Sequence, residues 1–571
     1  MDSQINNRGV SATIVSLHWD RIFLELHVKM QCPAALCNAP IVFYAADENG
    51  TVKAQFDDAK TDDGFVLRLN ITNGGNHRCL PTGNYKIAVC REDVFLTYCA
   101  VDPDAVKTLA AADRDFLYAK GNTAYAVTFL ALQEQDGRSL VLHIESEKPM
   151  GDPDSRNASS LKTRMKKKML RSVYRHYSNK AKNRANTVLF LSEHGTVLDG
   201  NLAAVRDRMI ARGLDKEYVI CESARSVLRS SPSFQSWIEV TKKIAMSGTI
   251  FVDDYAGVLN SLTLHPDTKL IQLWHAGAGF KASGYSRWGH DGALGPMSGY
   301  RQIRYGVSGS EKIAHFFSEV WGINTEYVLP TGMPRMDKYL DPAHRAATEK
   351  ALREQYPITK GKQVILFAPT FRGKNQKDAA YPYSIIDFAR LYEFCGDTYV
   401  ILFKMHPWVS EPVPIPEGMK DKMADASRYP SINDLFYLTD VLITDYSSNI
   451  FEFSLMRKPM LFFAFDRDDY FSTRGFHRDY EQSVPGKICS TFEELVAALE
   501  RNDFDFEKVE RYVSDHFDHI DSNASDRVID WLLLEQIPQQ YRDRIAEKEQ
   551  QVAKWRRLRL PAFSCGLPKQ N

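Results

Sequence analysis

Hydrophobic positions change rhythm twice along this chain. Through residue 150 they fall in short runs dense in β-branched and aromatic side chains, at 14–28, 41–44, 65–71, 85–89, 124–132 and 140–144. Between them stand Glu48-Asn49-Gly50, Asn73-Gly74-Gly75, Pro81-Thr82-Gly83 and Asp136-Gly137, which supply the positive φ and the local side-chain acceptors that tight turns need. The pattern predicts an antiparallel β-sandwich or barrel over 1–150, with no cluster of catalytic side chains in it.

Residues 151–186 break that rhythm. GDPDSRNASS at 151–160 reads as a linker, and 161–184 carries ten Lys and Arg without one Asp or Glu. Leu161, Met165, Met169, Val173 and Tyr177 recur every four residues, so one helix would set an apolar stripe among positive charges. Such a surface suits an anionic membrane; the competing reading is a helix that packs its stripe on the next domain. A second segment of this kind lies near the end, where Trp555 and Leu558 interleave Lys554, Arg556, Arg557 and Arg559.

From 187 onward, short apolar runs alternate with helix-length segments, the mark of a parallel sheet with crossover helices. TVLFLS, EYVICE, TIFVDD, KLIQLW and RYGVSG supply a first lobe over 187–330; QVILFAP, YVILFKMH, VLITDY and PMLFFAF supply a second over 331–530. Residues 531–571 remain as a C-terminal helix and basic tail. The predicted fold class is α/β, with two Rossmann-like lobes behind the β-domain, and ligands are expected beyond the carboxyl ends of the strands where the lobes face each other.

Composition narrows the partners. The 72 basic side chains cancel the 72 acidic ones, so overall charge gives no support to nucleic-acid binding. Nine cysteines without a CxxC pair read as reduced thiols. No run approaches the roughly 20 apolar residues of a spanning helix, and the first 30 residues do not read as a signal peptide, so membrane contact is expected to be peripheral. Neither GxxxxGK[ST] nor a strand-following GxGxxG occurs, and Asp253-Asp254 is a weak metal candidate. Metal-independent chemistry with no cofactor is the expectation.

Three strand ends carry the candidate chemistry. In LWHAGAGFKASGYSR (273–287), His275 leaves a strand and enters a turn built on Gly277 and Gly279, with Lys281 and Arg287 following; an imidazole there suits a general base or a donor to an anion. In LFKMHPW (402–408), His406 ends another strand, Pro407 stops any helix, and Lys404 shares the alternation of His406. In LITDYSSNIFEF (442–453), Thr444 and Asp445 close a strand, Ser447 and Ser448 open a helix whose N–H groups suit a phosphate, and Glu452 follows within it. Asn449 and Glu452 also fit a capping box. Arg335, Arg372, Arg474 and His477 lie on neighbouring loops, as phosphate donors or as members of ion pairs.

Together these segments resemble the family of CDP-glycerol glycerophosphotransferases, the teichoic-acid polymerases and primases of bacterial walls. The resemblance rests on Trp274-His275 before a glycine turn, TGMPRMD at 331–337, FAPTFRG at 367–373, KMHP at 404–407, TDYSS at 444–448 and the stretch 462–487, and it covers about 187–515. The β-domain followed by a basic helix is similar to the longer members. After Trp274-His275 the chain reads Ala276-Gly277-Ala278-Gly279-Phe280-Lys281 where many glycerol enzymes read Gly-Thr-Pro-Leu-Lys. That version looks more like the branch of ribitol-phosphate polymerases, which also holds glycerol-phosphate primases and capsule enzymes, and so leaves glycerol against ribitol open.

The resemblance implies a GT-B-like pair of lobes that moves glycerol phosphate or ribitol phosphate from its CDP-activated form to the terminal hydroxyl of a lipid-linked polymer, releasing CMP. It implies His275 as the base and His406 beside the diphosphate, with Arg372, Lys404, Thr444, Asp445, Ser447, Ser448 and Glu452 on the donor side. Gly277, Gly279, Lys281, Arg287, Arg335, Arg474 and His477 are then acceptor or phosphate contacts. The implied partners are CDP-glycerol or CDP-ribitol, a lipid-linked polyol-phosphate acceptor and anionic lipid at the cytoplasmic face of the bacterial membrane, with homo-oligomerisation left open. A sugar-nucleotide glycosyltransferase on the same lobes is the alternative, since fold does not fix reaction.

Overall fold

Strands Ser11–Asp20 and Phe23–Gln31 form a hairpin where the sequence offers a single apolar run, and Arg21, at φ 54°, makes the reversal. The computed structural model describes residues 9–33, 40–134, 137–150, 161–227, 232–277, 281–290, 292–373 and 376–565. Within them the N-terminal domain is a 12-stranded sheet. Strand Gly137–Pro149 pairs with Thr123–Glu134 along one edge and with Gly83–Arg91 and Ala100–Val101 along the other, which lets the sheet fold over its own core. The domain is not purely antiparallel: Thr13 and Ile14 pair parallel with Ala100 and Val101.

The two lobes follow the two βα arrays. The first sheet runs Val219–Ala224, Thr187–Ser192, Thr249–Val252, Lys269–Gln272, Ile303–Val307, Val328–Leu329, all parallel. The second runs Met423–Asp425, Tyr399–Phe403, Gln363–Phe367, Val441–Thr444, Met460–Phe463, Lys487–Cys489, also parallel. The strand order reverses beside Thr187–Ser192 in one lobe and beside Gln363–Phe367 in the other, and loops that diverge at such a point leave a crevice. The edge strands Val328–Leu329, Met423–Asp425 and Lys487–Cys489 are too short to leave a periodic signal in the sequence.

Three contacts lock these parts together. A Cβ added to Gly277 would lie 2.3 Å from the ring of Phe451, so the first lobe's glycine turn sits against the second lobe and no larger residue fits. Trp288, 2% exposed, packs its indole among Phe116, Tyr118 and Tyr125 of the β-domain. The C-terminal helix Gln539–Arg557 crosses the first lobe, with Tyr327 and Arg304 on Glu549, and ends on the β-domain. There Trp555, Leu558 and Leu560 are buried beside Tyr44, Ala88 and Cys90, and Lys53 donates to the Leu558 carbonyl at 2.7 Å.

The basic helix Leu161–Lys180 packs on the first lobe, through a face set one residue from the expected stripe. It lies on helix Phe234–Met246 with Leu170 and Tyr174 buried, the Tyr174 hydroxyl accepting from the His265 N–H at 2.7 Å and the Lys166 ammonium 3.4 Å from the Trp237 ring centroid. Of the stripe, Met169, Val173 and Tyr177 are half-buried and Met165 is 64% exposed, while Lys167, Lys168, Arg171 and Arg175 face solvent. Among the described residues no helix is long and apolar enough to cross a membrane.

Candidate active site

At the first lobe's switch point, three neighbouring parallel strands end in His194, Asp253-Asp254 and Trp274-His275. Asp254 Oδ2 lies 2.7 Å from His194 Nε2 and 3.2 Å from His275 Nδ1, and the same Nδ1 is 3.2 Å from the Asp253 carbonyl oxygen. Both neighbours of Nδ1 are acceptors, so Nδ1 carries the proton of a neutral His275 and Nε2 carries the lone pair. The bend that presents the ring comes from Trp274, at φ 55°, whose indole is buried 4.5 Å from the imidazole. Asn201 fixes the same turn by donating to the carbonyls of Leu273 and Trp274 at 3.1 and 2.7 Å. The His275 side chain is 53% exposed.

Charge in this cluster is asymmetric. The hydrogen bond to Asp254 raises the pKa of His194 above the ordinary histidine value against its partial burial. Burial opposes ionisation of Asp254, yet His275 and His194 outweigh it and hold its carboxyl below the usual range. Burial and the adjacent Asp254 push Asp253 up to about 6. Sequence reading took the two aspartates as a weak metal pair and passed over His194; among the described residues no group of three or more His, Cys, Asp or Glu is arranged to hold a metal ion.

The second lobe brings together the ends of Gln363–Phe367, Tyr399–Phe403 and Val441–Thr444. His406 is half-buried, its Nδ1 accepting from the Trp408 N–H at 3.2 Å and its ring against Phe371. Burial together with Lys281 and Lys404 lowers its pKa to about 4. Lys281 belongs to the first lobe, and its backbone bridges to Phe476 of the second, so the cation reaches the His406 side of the crevice. A cavity of about 470 Å³ opens here, lined by Lys404, His406, Ser410, Asp425 and Arg428.

Several expected ligands of the donor are spent on the protein itself. Lys404 Nζ is buried and donates to the carbonyls of Ser427 and Tyr429 at 2.7 and 2.6 Å. Arg372 joins the buried Asp445 at 2.9 Å and the half-buried Asp466 at 2.5 Å, so its guanidinium is held in ion pairs and does not present an empty phosphate fork. Asp445 also accepts from the Thr370 N–H and hydroxyl, and Thr444 donates to the Ala368 carbonyl at 2.7 Å. The helix after Ser447-Ser448 is only Ile450–Ser454, and Asn449 makes no side-chain cap, so the expected capping box does not form. Glu452 is buried and paired with Arg335, which also donates to the His275 carbonyl at 2.6 Å. Arg335 is therefore a clasp between the two lobes.

His477 is buried out of the crevice. Its Nε2 is 2.6 Å from Glu319 Oε2, which also meets Arg21 Nη1 at 3.1 Å, so one carboxylate joins the second lobe, the first lobe and the β-domain. Ser447 is buried and accepts from the Asn449 N–H at 3.3 Å, whereas Ser448 is half-buried. Arg287 is half-buried in the turn Gly284–Arg287, which leads to Trp288 and the β-domain. Gly279 and the Arg474 side chain lie outside the described residues.

Comparison with known proteins fits this geometry. A family profile described as CDP-Glycerol:Poly(glycerophosphate) glycerophosphotransferase matches residues 172–534. The chain is 36% identical over 366 residues to the teichoic acid poly(ribitol-phosphate) polymerase of Bacillus spizizenii, covering 64% of this chain and 59% of that one. It is 37% identical over 350 residues to the teichoic acid ribitol-phosphate polymerase TarL of Staphylococcus aureus, covering 61% and 62%. The chain thus spans about three fifths of the length of these relatives. The solved structure of the wall teichoic acid polymerase TagF superposes with a TM-score of 0.52 at 23% identity, over 66% of this chain and 94% of that one, a likeness of fold that spans about as much chain as the GT-B-like pair of lobes.

Proposed function

Because this chain belongs to the CDP-glycerol:poly(glycerophosphate) glycerophosphotransferase family, we propose that it transfers a polyol phosphate from a CDP-activated donor to the terminal hydroxyl of a teichoic acid or related wall polymer. The observation that carries this reading is the division of charge across the crevice. His275 offers an Nε2 lone pair on a carboxylate-braced ring, and His406 sits in a cationic recess with Lys281 beside it. The acceptor oxygen attacks the β-phosphorus as its proton passes to His275 Nε2, and the bond to the CMP oxygen breaks with the electron pair leaving on CMP. Positioning and charge compensation dominate phosphoryl transfer, so converging donors around the diphosphate supply the catalysis.

Ribitol phosphate is the favoured group, since both relatives compared above are named for it. CMP or UDP release with CDP-ribitol, CDP-glycerol and UDP-sugars in parallel tests the claim: CDP-ribitol is expected to turn over fastest, and turnover of a UDP-sugar alone would replace the reading with a glycosyltransferase. The acceptor is read as lipid-linked, at the cytoplasmic face of the membrane. With Leu170 and Tyr174 of helix Leu161–Lys180 buried against the first lobe, contact with anionic lipid falls mainly to the helix's exposed charges. Replacing Lys167, Lys168 and Arg175 by Gln is expected to weaken co-sedimentation with phosphatidylglycerol vesicles at low salt, by about 1 kcal/mol for each charge that reaches the surface. Equal vesicle binding would remove this helix from the membrane contact.

A further inference from the structure

We propose that Asp254 is the positioning carboxylate of His275, and that His194, held on the same carboxylate oxygen, is a cationic subsite for the phosphodiester next to the acceptor's attacking hydroxyl. The proposal rests on the reading of His275 as the base, adds His194, to which no motif pointed, and gives Asp254 a role other than the metal pairing the sequence suggested. Three strand ends converge on one oxygen. Asp254 Oδ2 takes His194 Nε2 at 2.7 Å and His275 Nδ1 at 3.2 Å, and the two ring centroids stand 6.3 Å apart.

Asp254, and not its neighbour, has this role. Asp253 meets His275 through its backbone carbonyl; its own carboxylate is 3.5 Å from the Ser192 hydroxyl on one oxygen, while the other oxygen is buried without a hydrogen-bond partner. Asp254 is also anchored from its own backbone, accepting from the Tyr255 N–H at 2.5 Å. A carboxylate fixed in this way holds the ring's plane and its Nδ1–H tautomer, leaving Nε2 directed outward for the hydroxyl proton.

His194 answers a different need. Its side chain is 45% exposed, so it is open to a ligand, and its bond to Asp254 favours the imidazolium. The growing end of a polyol-phosphate chain carries a phosphodiester one polyol unit from its free hydroxyl. An imidazolium beside the base therefore meets a negative charge beside the nucleophile, and recognition by charge selects a phosphorylated acceptor over a neutral alcohol.

The two residues separate in a steady-state experiment with a synthetic ribitol-phosphate oligomer as acceptor, beside the same oligomer with its terminal link made uncharged as a methylphosphonate. D254N is expected to lower kcat at least tenfold with the acceptor KM within twofold, and D254E to recover part of the loss. H194Q is expected to raise KM for the charged oligomer at least fivefold, with kcat within threefold and KM for the methylphosphonate unchanged. Should D254N not fold, D254E against the parent carries the kcat comparison. Parental kcat in D254N, or equal KM shifts of H194Q for both acceptors, would overturn the assignment. H275A is run alongside: an active H275A defeats the underlying reading, whereas an inactive H275A with a parental D254N defeats this inference alone.

Discussion

Each lobe presents a histidine just past a parallel strand, yet the two are surrounded by opposite charge. Around His275 stand Asp254 and the carbonyl of Asp253; His406 is shifted first by burial and then by Lys281 and Lys404. A carboxylate and a carbonyl on Nδ1 leave the other ring nitrogen of His275 directed outward. A histidine kept neutral among lysines cannot hold a proton easily, but its recess attracts a diphosphate. On the proposed reading, one structural position serves two chemical tasks, and the neighbours, not the histidines, decide which.

The largest effect should come from the base. H275A is expected to lower turnover by about 10²- to 10⁴-fold at saturating donor, the usual cost of losing a positioned acid–base group. CDP affinity, read by titration calorimetry, should stay within about twofold because the cationic recess is untouched. Near-parental turnover would erase the contrast between the lobes.

A smaller effect is expected from the charge that one lobe lends the other. K281M removes a cation that faces His406 across the crevice. CDP binding should weaken by about tenfold, or about 1.4 kcal/mol, and the His406 imidazole should titrate higher, followed by NMR of its ring protons. The sign follows from the loss of a positive neighbour, which makes protonation easier. Unchanged CDP affinity would move the diphosphate away from Lys281.

These contrasts were only partly legible beforehand. The parallel strands could be read because strands buried on both faces, such as Gln363–Phe367 and Tyr399–Phe403, are unbroken apolar runs. His275 and His406 could be read because each ends such a run. His194 could not, and Asp254 could be read only as half of a weak metal pair: they follow two other strands, and sheet order alone brings both histidines to one Asp254 oxygen. Nor could the partners of Arg372 and His477 be read, because folding supplies them from Asp466, 94 residues away, and Glu319, 158 residues away. Long-range carboxylates are what separate a phosphate ligand from a structural clasp, and sequence spacing carries no trace of them.

The last expected effect is on stability, not on turnover or binding, and it extends the second lobe's chemistry to the whole molecule. His406 shares its desolvated state with His77, which burial and Arg301 lower to about 4, and with His516, which burial and Arg478 lower to about 3. Each binds its proton in the unfolded chain near pH 6.5 but resists it when folded. Stability from these groups is therefore complete above about pH 6.5 and is lost as pH falls toward 4, with a slope of up to about 1.4 kcal/mol per pH unit for each. Asp253 acts in the opposite sense, because its folded form takes up a proton near 6, above the unfolded value of 3.8, and so offsets about one histidine between those limits. Urea unfolding at pH 7 and pH 5 should show the net loss. H406Q, lacking one titrating ring, should show a shallower pH dependence than the parent, by no more than about 2 kcal/mol across that interval, and H516Q likewise. A parental pH dependence in both variants would mean that the folded protein protonates these rings as readily as the unfolded chain does, and the cationic, water-poor character assigned to the His406 recess would go with it.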